Sequence, residues 1–290
     1  MKSTRRKLSS IVGMRNTKRI GDSTTFLLLV LISVIMLFPV WIMLITAIKT
    51  PAEVFQFPPS LIPRSFMFDN FPNAIENMRL ARAFRNSIFV SSMVSIGTVM
   101  SSSLVAFGFY RYRAPGKNIL FMFVLSTLMI PYAAYMIPQF ILFHHLGWVN
   151  TFLPIIVPPF FGSAFSIFLF RQFFSTLPHD LFDAARIDGA SEFTCYWKIA
   201  MPLCGAAIAA VIIFSFIWSW DDLLAPLLYL HDSDLHTLPY AMALFRTRFR
   251  VLQWNEIMAA ALMASLPCFI LFVTCQKYFV EGIVTSGIKG

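Results

Sequence analysis

The chain has 290 residues, 58% of them hydrophobic and 13% charged, with a net charge of +9. Its mean hydropathy of +0.71 excludes an ordinary soluble domain, in which about a quarter of the residues are charged. The surplus of Lys and Arg does not point to nucleic acid, because it lies on loops and no basic patch is interleaved with stacking aromatics.

Residues 1–25 form a basic tail, with Lys2, Arg5, Arg6, Lys7, Arg15, Lys18 and Arg19 against the single acid Asp22. The uncharged run 26–48 is too long for the apolar core of a signal peptide and reads as a first span. A segment rich in proline (Pro51, Pro58, Pro59, Pro63, Pro72) leads to a second span, 87–110. There Ser91, Ser95 and Ser102 supply small residues at helical spacing, which lets a neighbouring helix approach closely. Pro131 and Pro138 interrupt the third span, 119–143. Pro154, Pro158, Pro159 and Gly162 break the fourth, 152–170. Such breaks need neighbours, or a cavity, to satisfy the freed backbone groups.

The polar stretch Asp180–Pro202, DLFDAARIDGASEFTCYWKIAMP, reads as helix, turn, helix. Pro178 suits a first turn, and Asp180 and Asp183 lie near the positive end of a helix dipole. Gly189 is free to take the left-handed conformation that ends a helix. Asp188 opposes the dipole, and a local rule broken beside a sharp turn suggests a contact outside the chain. The fifth span, 203–230, reads as one helix that carries Trp220, Asp221 and Asp222. Ionisable groups within a span face a cavity or a partner helix, which makes these three a candidate pathway or gate; snorkelling at the interface is the alternative. A loop with Arg246, Arg248 and Arg250 precedes the sixth span, 257–276, and a short tail, 281–290.

Fifteen of the 23 basic residues lie on the side that holds both ends and the 172–201 loop. By the positive-inside rule, that side is the cytoplasm. His144 and His145 diverge on one helix with no nearby acid or Cys, and Cys195, Cys204, Cys268 and Cys275 lack ligand spacing, so no metal site is expected. No phosphate-binding loop exists: before Gly116-Lys117 the first glycine's place holds Arg111, and Asn118 stands where Ser or Thr is needed. No nucleophile and base can be paired, so the chain does not read as an enzyme.

Asp183-Ala184-Ala185, Gly189 and Ile199-Ala200-Met201-Pro202 resemble the coupling loop of ABC-importer permeases, E-A-A-x-x-x-G-x9-I-x-L-P, with Asp for Glu and Met for Leu. Likeness extends through Pro39-Val40-Trp41, Asn86-Ser87, Phe170-Arg171-Gln172-Phe173-Phe174, Trp254, Met258-Ala259-Ala260-Ala261 and the ending from Gln276 to Gly282. These stretches are similar to carbohydrate-importer permeases, of the maltose-type second-permease family. The resemblance implies an all-α membrane protein of the type I importer permease fold. It would have six transmembrane helices and a cytoplasmic helix-turn-helix coupling loop, 172–201, in a bacterial inner membrane.

It further implies that Asp183, Ala184, Ala185, Asp188, Gly189, Ile199 and Pro202 couple the chain to an ATPase. Its implied partners are a second homologous permease, a dimeric ABC ATPase, an extracytoplasmic solute-binding protein and a saccharide. ATP and Mg would be bound by the ATPase, with no cofactor in this chain, and Ser286 to Gly290 would be a second ATPase contact. On this reading Arg246, Arg248 and Arg250, aligned if their segment is extended, form a docking surface for the binding protein. The alternative is a cationic rim that favours an anionic saccharide. A secondary transporter driven by an ion gradient is the competing class. It would call for internal repeats and several intramembrane charges, and the sequence shows no repeat and one acidic pair.

Overall fold

The structure, a computed structural model, describes residues 2–248 and 253–287, with side chains from 25 to 246 and from 253 to 277. The described residues contain helices and turns and no strand. In chain order the α-helices are α1 (Lys2–Ala47), α2 (Pro51–Val54), α3 (Asn70–Asn77), α4 (Leu80–Arg111), α5 (Lys117–Ser126), α6 (Tyr132–His145), α7 (Leu153–Ile156) and α8 (Ala164–Phe174). They continue with α9 (His179–Ile187), α10 (Glu192–Thr194), α11 (Met201–Leu203), α12 (Gly205–Trp220), α13 (Leu224–Tyr229), α14 (Leu238–Arg248) and α15 (Trp254–Gly287). Among the described residues four helices are long and apolar enough to cross a membrane, or six spans if each of two bent pairs counts as one.

The chain divides into two compact units. The first comprises Met1–Pro72 with Gln253–Leu262. In α1 the apolar stretch Thr25–Ala47 is exposed along most of its length, as suits a lipid-facing helix. The loop after it is ordered by buried polar groups. Asn70 Nδ2 donates to the carbonyls of Ala47 (2.8 Å) and Lys49 (2.9 Å), and Asn70 Oδ1 accepts from Asn255 Nδ2 at 2.7 Å. Glu53 Oε1 accepts from Ser60 Oγ and Arg64 N, each at 2.9 Å. Burial of Asn70 and Glu53 is tolerated because each finds partners, whereas Asn255 Oδ1 has none among the described residues.

The second unit, Asn73–Leu252 with Met263–Gly290, is built around α4. The small-residue stripe works as its spacing implies: Ser91, Ser95 and Ser102 are buried, and α8 and α12 pack against the helix. At Gly97 the approach is closest, since an added Cβ would lie 2.5 Å from the Phe160 ring. The broken backbone of the fourth span is satisfied from the same helix. Ser101 Oγ donates to the Pro159 carbonyl at 2.9 Å, and Ser102 Oγ accepts from Ser163 N at 3.0 Å.

One expectation needs correction. The fifth span is not one helix: α11 and α12 meet at an 80° bend at Cys204, and α12 ends at Trp220. Pro202 removes a helical donor at the first break. At the second, Asp222 Oδ1 accepts from Leu224 N (3.0 Å) and Ala225 N (3.2 Å), which starts a new helix, α13, instead of continuing the old one. The third span is interrupted at Pro131, as its sequence implies: it bends by 95° before α6, where the proline forces Ile130 into an extended conformation.

Candidate functional site

The helix-turn-helix lies where the sequence puts it. Helix α9 ends in a Schellman arrangement: Gly189 N donates to the Arg186 carbonyl (3.0 Å) and Ala190 N to the Ala185 carbonyl (2.9 Å), with Gly189 at φ +84°. The second arm begins at Ser191, whose Oγ accepts from Thr194 N at 3.2 Å, and passes through a π-helical turn, Cys195–Ala200. A wide turn of this kind re-aims side chains within a helix.

Phe182, Cys195, Tyr196 and Ala200 are buried against Phe107, Phe170 and Phe174, so the two arms share one core with α4 and α8. Tyr196 OH and Ser103 Oγ share a 2.7 Å hydrogen bond, and Tyr110 OH donates to the Leu177 carbonyl at 2.8 Å. Arg111, the last residue of α4, is the tie that the sequence did not reveal. Its side chain is 8% exposed; Nη2 pairs with Asp183 Oδ1 at 3.0 Å and Nε with Glu192 Oε2 at 3.2 Å. Arg186 Nε adds a contact to Glu192 Oε1 at 3.2 Å. One guanidinium fork thus joins both arms to α4.

The predicted residues divide in two. Asp183, Ala184, Asp188, Gly189 and Pro202 are exposed, while Ala185 and Ile199 pack on the core. Beside the turn Ile187 is 87% exposed, and Phe193 and Trp197 are also exposed. Sequence reading overlooked this apolar tip; three large apolar side chains clustered around a tight polar turn were its available signal.

At the other end of α4 the loop 233–238 is fastened to the helix start. Asn86 Nδ2 donates to the carbonyls of Asp234 (2.8 Å) and His236 (3.0 Å), and Ser87 Oγ accepts from Leu238 N at 2.7 Å. Asp234 forms ion pairs with Arg79 and Arg82. Helix α4, about 48 Å long at 1.5 Å per residue, therefore carries a fastened loop at each end.

Trp220, Asp221 and Asp222 separate. Trp220 is buried, donates from Nε1 to the Ala264 carbonyl at 3.1 Å and stacks on Phe216, as a packing residue does. Asp221 is exposed. Asp222 lines a cavity of about 460 Å³ beside the broken fourth span. Arg246 is exposed, on α14, whereas the Arg248 side chain and Arg250 lie outside the described residues, as do the side chain of Ser286 and all of 288–290. Helix α14 reaches Arg248, so the extended segment assumed for this arginine row is absent at its first two positions, which lie about 200° apart around a helix.

Residues 94–284 match the family described as the binding-protein-dependent transport system inner membrane component. The chain is 33% identical to the arabinooligosaccharides transport system permease protein AraQ of Halalkalibacterium halodurans, over 89% of this chain and 93% of the relative. It is 32% identical to the sn-glycerol-3-phosphate transport system permease protein UgpE of Escherichia coli, over 89% and 94%. Among solved structures, a bacterial ABC transporter involved in the import of the acidic polysaccharide alginate superposes with a TM-score of 0.74 at 23% identity, covering 91% of this chain and 98% of that one.

Proposed function

The chain belongs to the family of binding-protein-dependent transport system inner membrane components, permease subunits of ABC importers, and we propose that α9 to α11 form the surface on which its ATPase acts. The chain folds as a type I importer permease and serves sugar or oligosaccharide import. In this reading Ile187, Phe193 and Trp197 enter a groove on the ATPase, with Asp188 and Gly189 shaping the turn between them. Arg111 passes the movement to α4, and α4 carries it to the loop 233–238, against which a loaded solute-binding protein docks. A second homologous permease completes the pathway. ATP and Mg sit on the separate ATPase chain, and both termini, with the coupling loop, face the cytoplasm.

The observation that carries this reading is the Arg111 fork, which holds two arms to one helix. A mere connector between spans has no need of a buried cation with two acids. The alternative, an ion-gradient carrier, has no use for an exposed apolar tip on a rigid hairpin.

The test is ATPase activity in vesicles holding the chain with its second permease and ATPase, with and without the sugar-loaded binding protein. Arg111→Lys keeps the charge but reaches only one acid at a time. We expect assembled Arg111→Lys complexes to lose most of the stimulation and most of the uptake. Full stimulation in this variant would show that the fork transmits nothing.

A further inference from the structure

The cavity beside Asp222 has a chemistry that coupling does not explain. It is an open cleft lined mainly by α4, the broken fourth span and α12, and its volume of about 460 Å³ falls within the ~300–1,000 Å³ usual for small-molecule sites. Thr98 and Ser166 line it, are 4% and 3% exposed, and make no side-chain hydrogen bond among the described residues. Neither oxygen is sealed off from the cavity, so both are free to pair with water or with a polar ligand that enters it. Ser215 and Ser219 add further hydroxyls, and Trp218 adds an indole held by Phe165 at 5.5 Å and Phe214 at 6.1 Å between ring centroids. Asp222 uses Oδ1 for the two amides that open α13. Its second oxygen accepts from no group among the described residues, and no basic side chain lines the cavity.

We propose that this cavity is a saccharide subsite within the permease itself, selective for an uncharged, hydroxyl-rich sugar ring. The carboxylate accepts from ring hydroxyls, the serine and threonine groups pair with others, and the indole face covers the apolar side of the ring. A uronic acid or a phosphorylated sugar would place a second anion against Asp222 with no cation to offset it, and selection against it follows from that repulsion. The inference rests on the transport reading and adds a substrate class to it. It opposes the anionic saccharide that a row of arginines had suggested.

The experiment supplies vesicles of the complete complex with binding protein, ATP and a mixture of neutral and uronate-containing oligosaccharides, made by partial hydrolysis of arabinan, xylan, starch, pectin and alginate. Mass spectrometry of the lumen reads what has entered. We expect neutral oligosaccharides alone. Asp222→Asn retains the shape and the oxygen that caps α13, and Ser166→Ala removes one hydroxyl with little volume. Co-purification of the partners checks the assembly of both. Each is expected to slow neutral uptake about tenfold, the loss of one good hydrogen bond; Asp222→Asn also raises the uronate share. Uronate oligosaccharides in the wild-type lumen, or wild-type rates in assembled variants, overturn the subsite. If one variant does not assemble, the other and the wild-type selectivity still decide. A wild-type lumen that holds no sugar at all overturns the transport reading instead.

Discussion

At Gly189 the backbone, not the surroundings, makes the demand. An added Cβ would meet nothing within 4 Å, yet φ is +84°. A β-branched residue therefore strains the turn by ~1–2 kcal/mol without a clash. That is small beside the shared core of Phe182, Tyr196 and Phe107, so the protein should still insert and assemble. The turn sets the angle between the arms, however, and with it the position of Ile187. Gly189→Val is expected to give normal membrane levels, little uptake and weak stimulation of the ATPase by loaded binding protein. Wild-type coupling in an assembled Gly189→Val complex would mean that the turn angle is not read. Arg111 is the opposite kind of residue, ordinary in its backbone and decisive in its contacts, and only one of its acids, Asp183, belongs to the motif that the sequence displays.

Helix α4 depends on closeness. Its small residues let the backbones of α8, α12 and the 158–161 turn approach, and its hydroxyls pair with the Pro159 carbonyl and Ser163 N that the break at Gly162 leaves without each other. Gly97 marks the tightest point, with the Phe160 ring atoms 2.5 to 2.9 Å from the place of a Cβ. Gly97→Leu overpacks this contact and is expected to cost about 1–3 kcal/mol, seen as a lower unfolding temperature of the solubilised protein. Phe160→Ala in the same chain should recover much of the loss. If Gly97→Leu alone raises the unfolding temperature, the helix propensity of Leu outweighs the contact and the close approach is not limiting. The fifth span shows the same economy in reverse: Asp222 starts α13 and also lines the cavity.

For the whole molecule the first question is which side is which. The basic residues favour a cytoplasmic location for both ends and for the 172–201 loop. Single cysteines at His231 and Ile187, both exposed, report it in a background without Cys195, Cys204, Cys268 and Cys275. A membrane-impermeant thiol reagent added outside is expected to modify position 231 and to leave 187 untouched. The reverse pattern would turn the assembly over and remove the proposed ATPase contact.

Sequence alone determined the helical membrane class, the family and the position of the 180–202 hairpin. Each of these rests on local signals: apolar runs, a proline, a glycine that must turn left, and fixed offsets between small residues. It also marked the breaks in the third and fourth spans, since proline acts on its immediate neighbours. The Arg111 fork was beyond its reach, because the partners are 72 and 81 residues away and an arginine at the end of a span looks like any other flanking charge. The cavity was hidden for the same reason. Thr98, Ser166 and the pair Ser215 and Asp222 come from three separate stretches, and nothing in a serine's neighbours says whether packing leaves its hydroxyl a partner. Asp221 and Asp222 were indistinguishable as a dipeptide; the end of α12 leaves one exposed and makes the other the cap of α13. Local chemistry fixes where a chain turns, whereas only packing decides which groups are left facing one another.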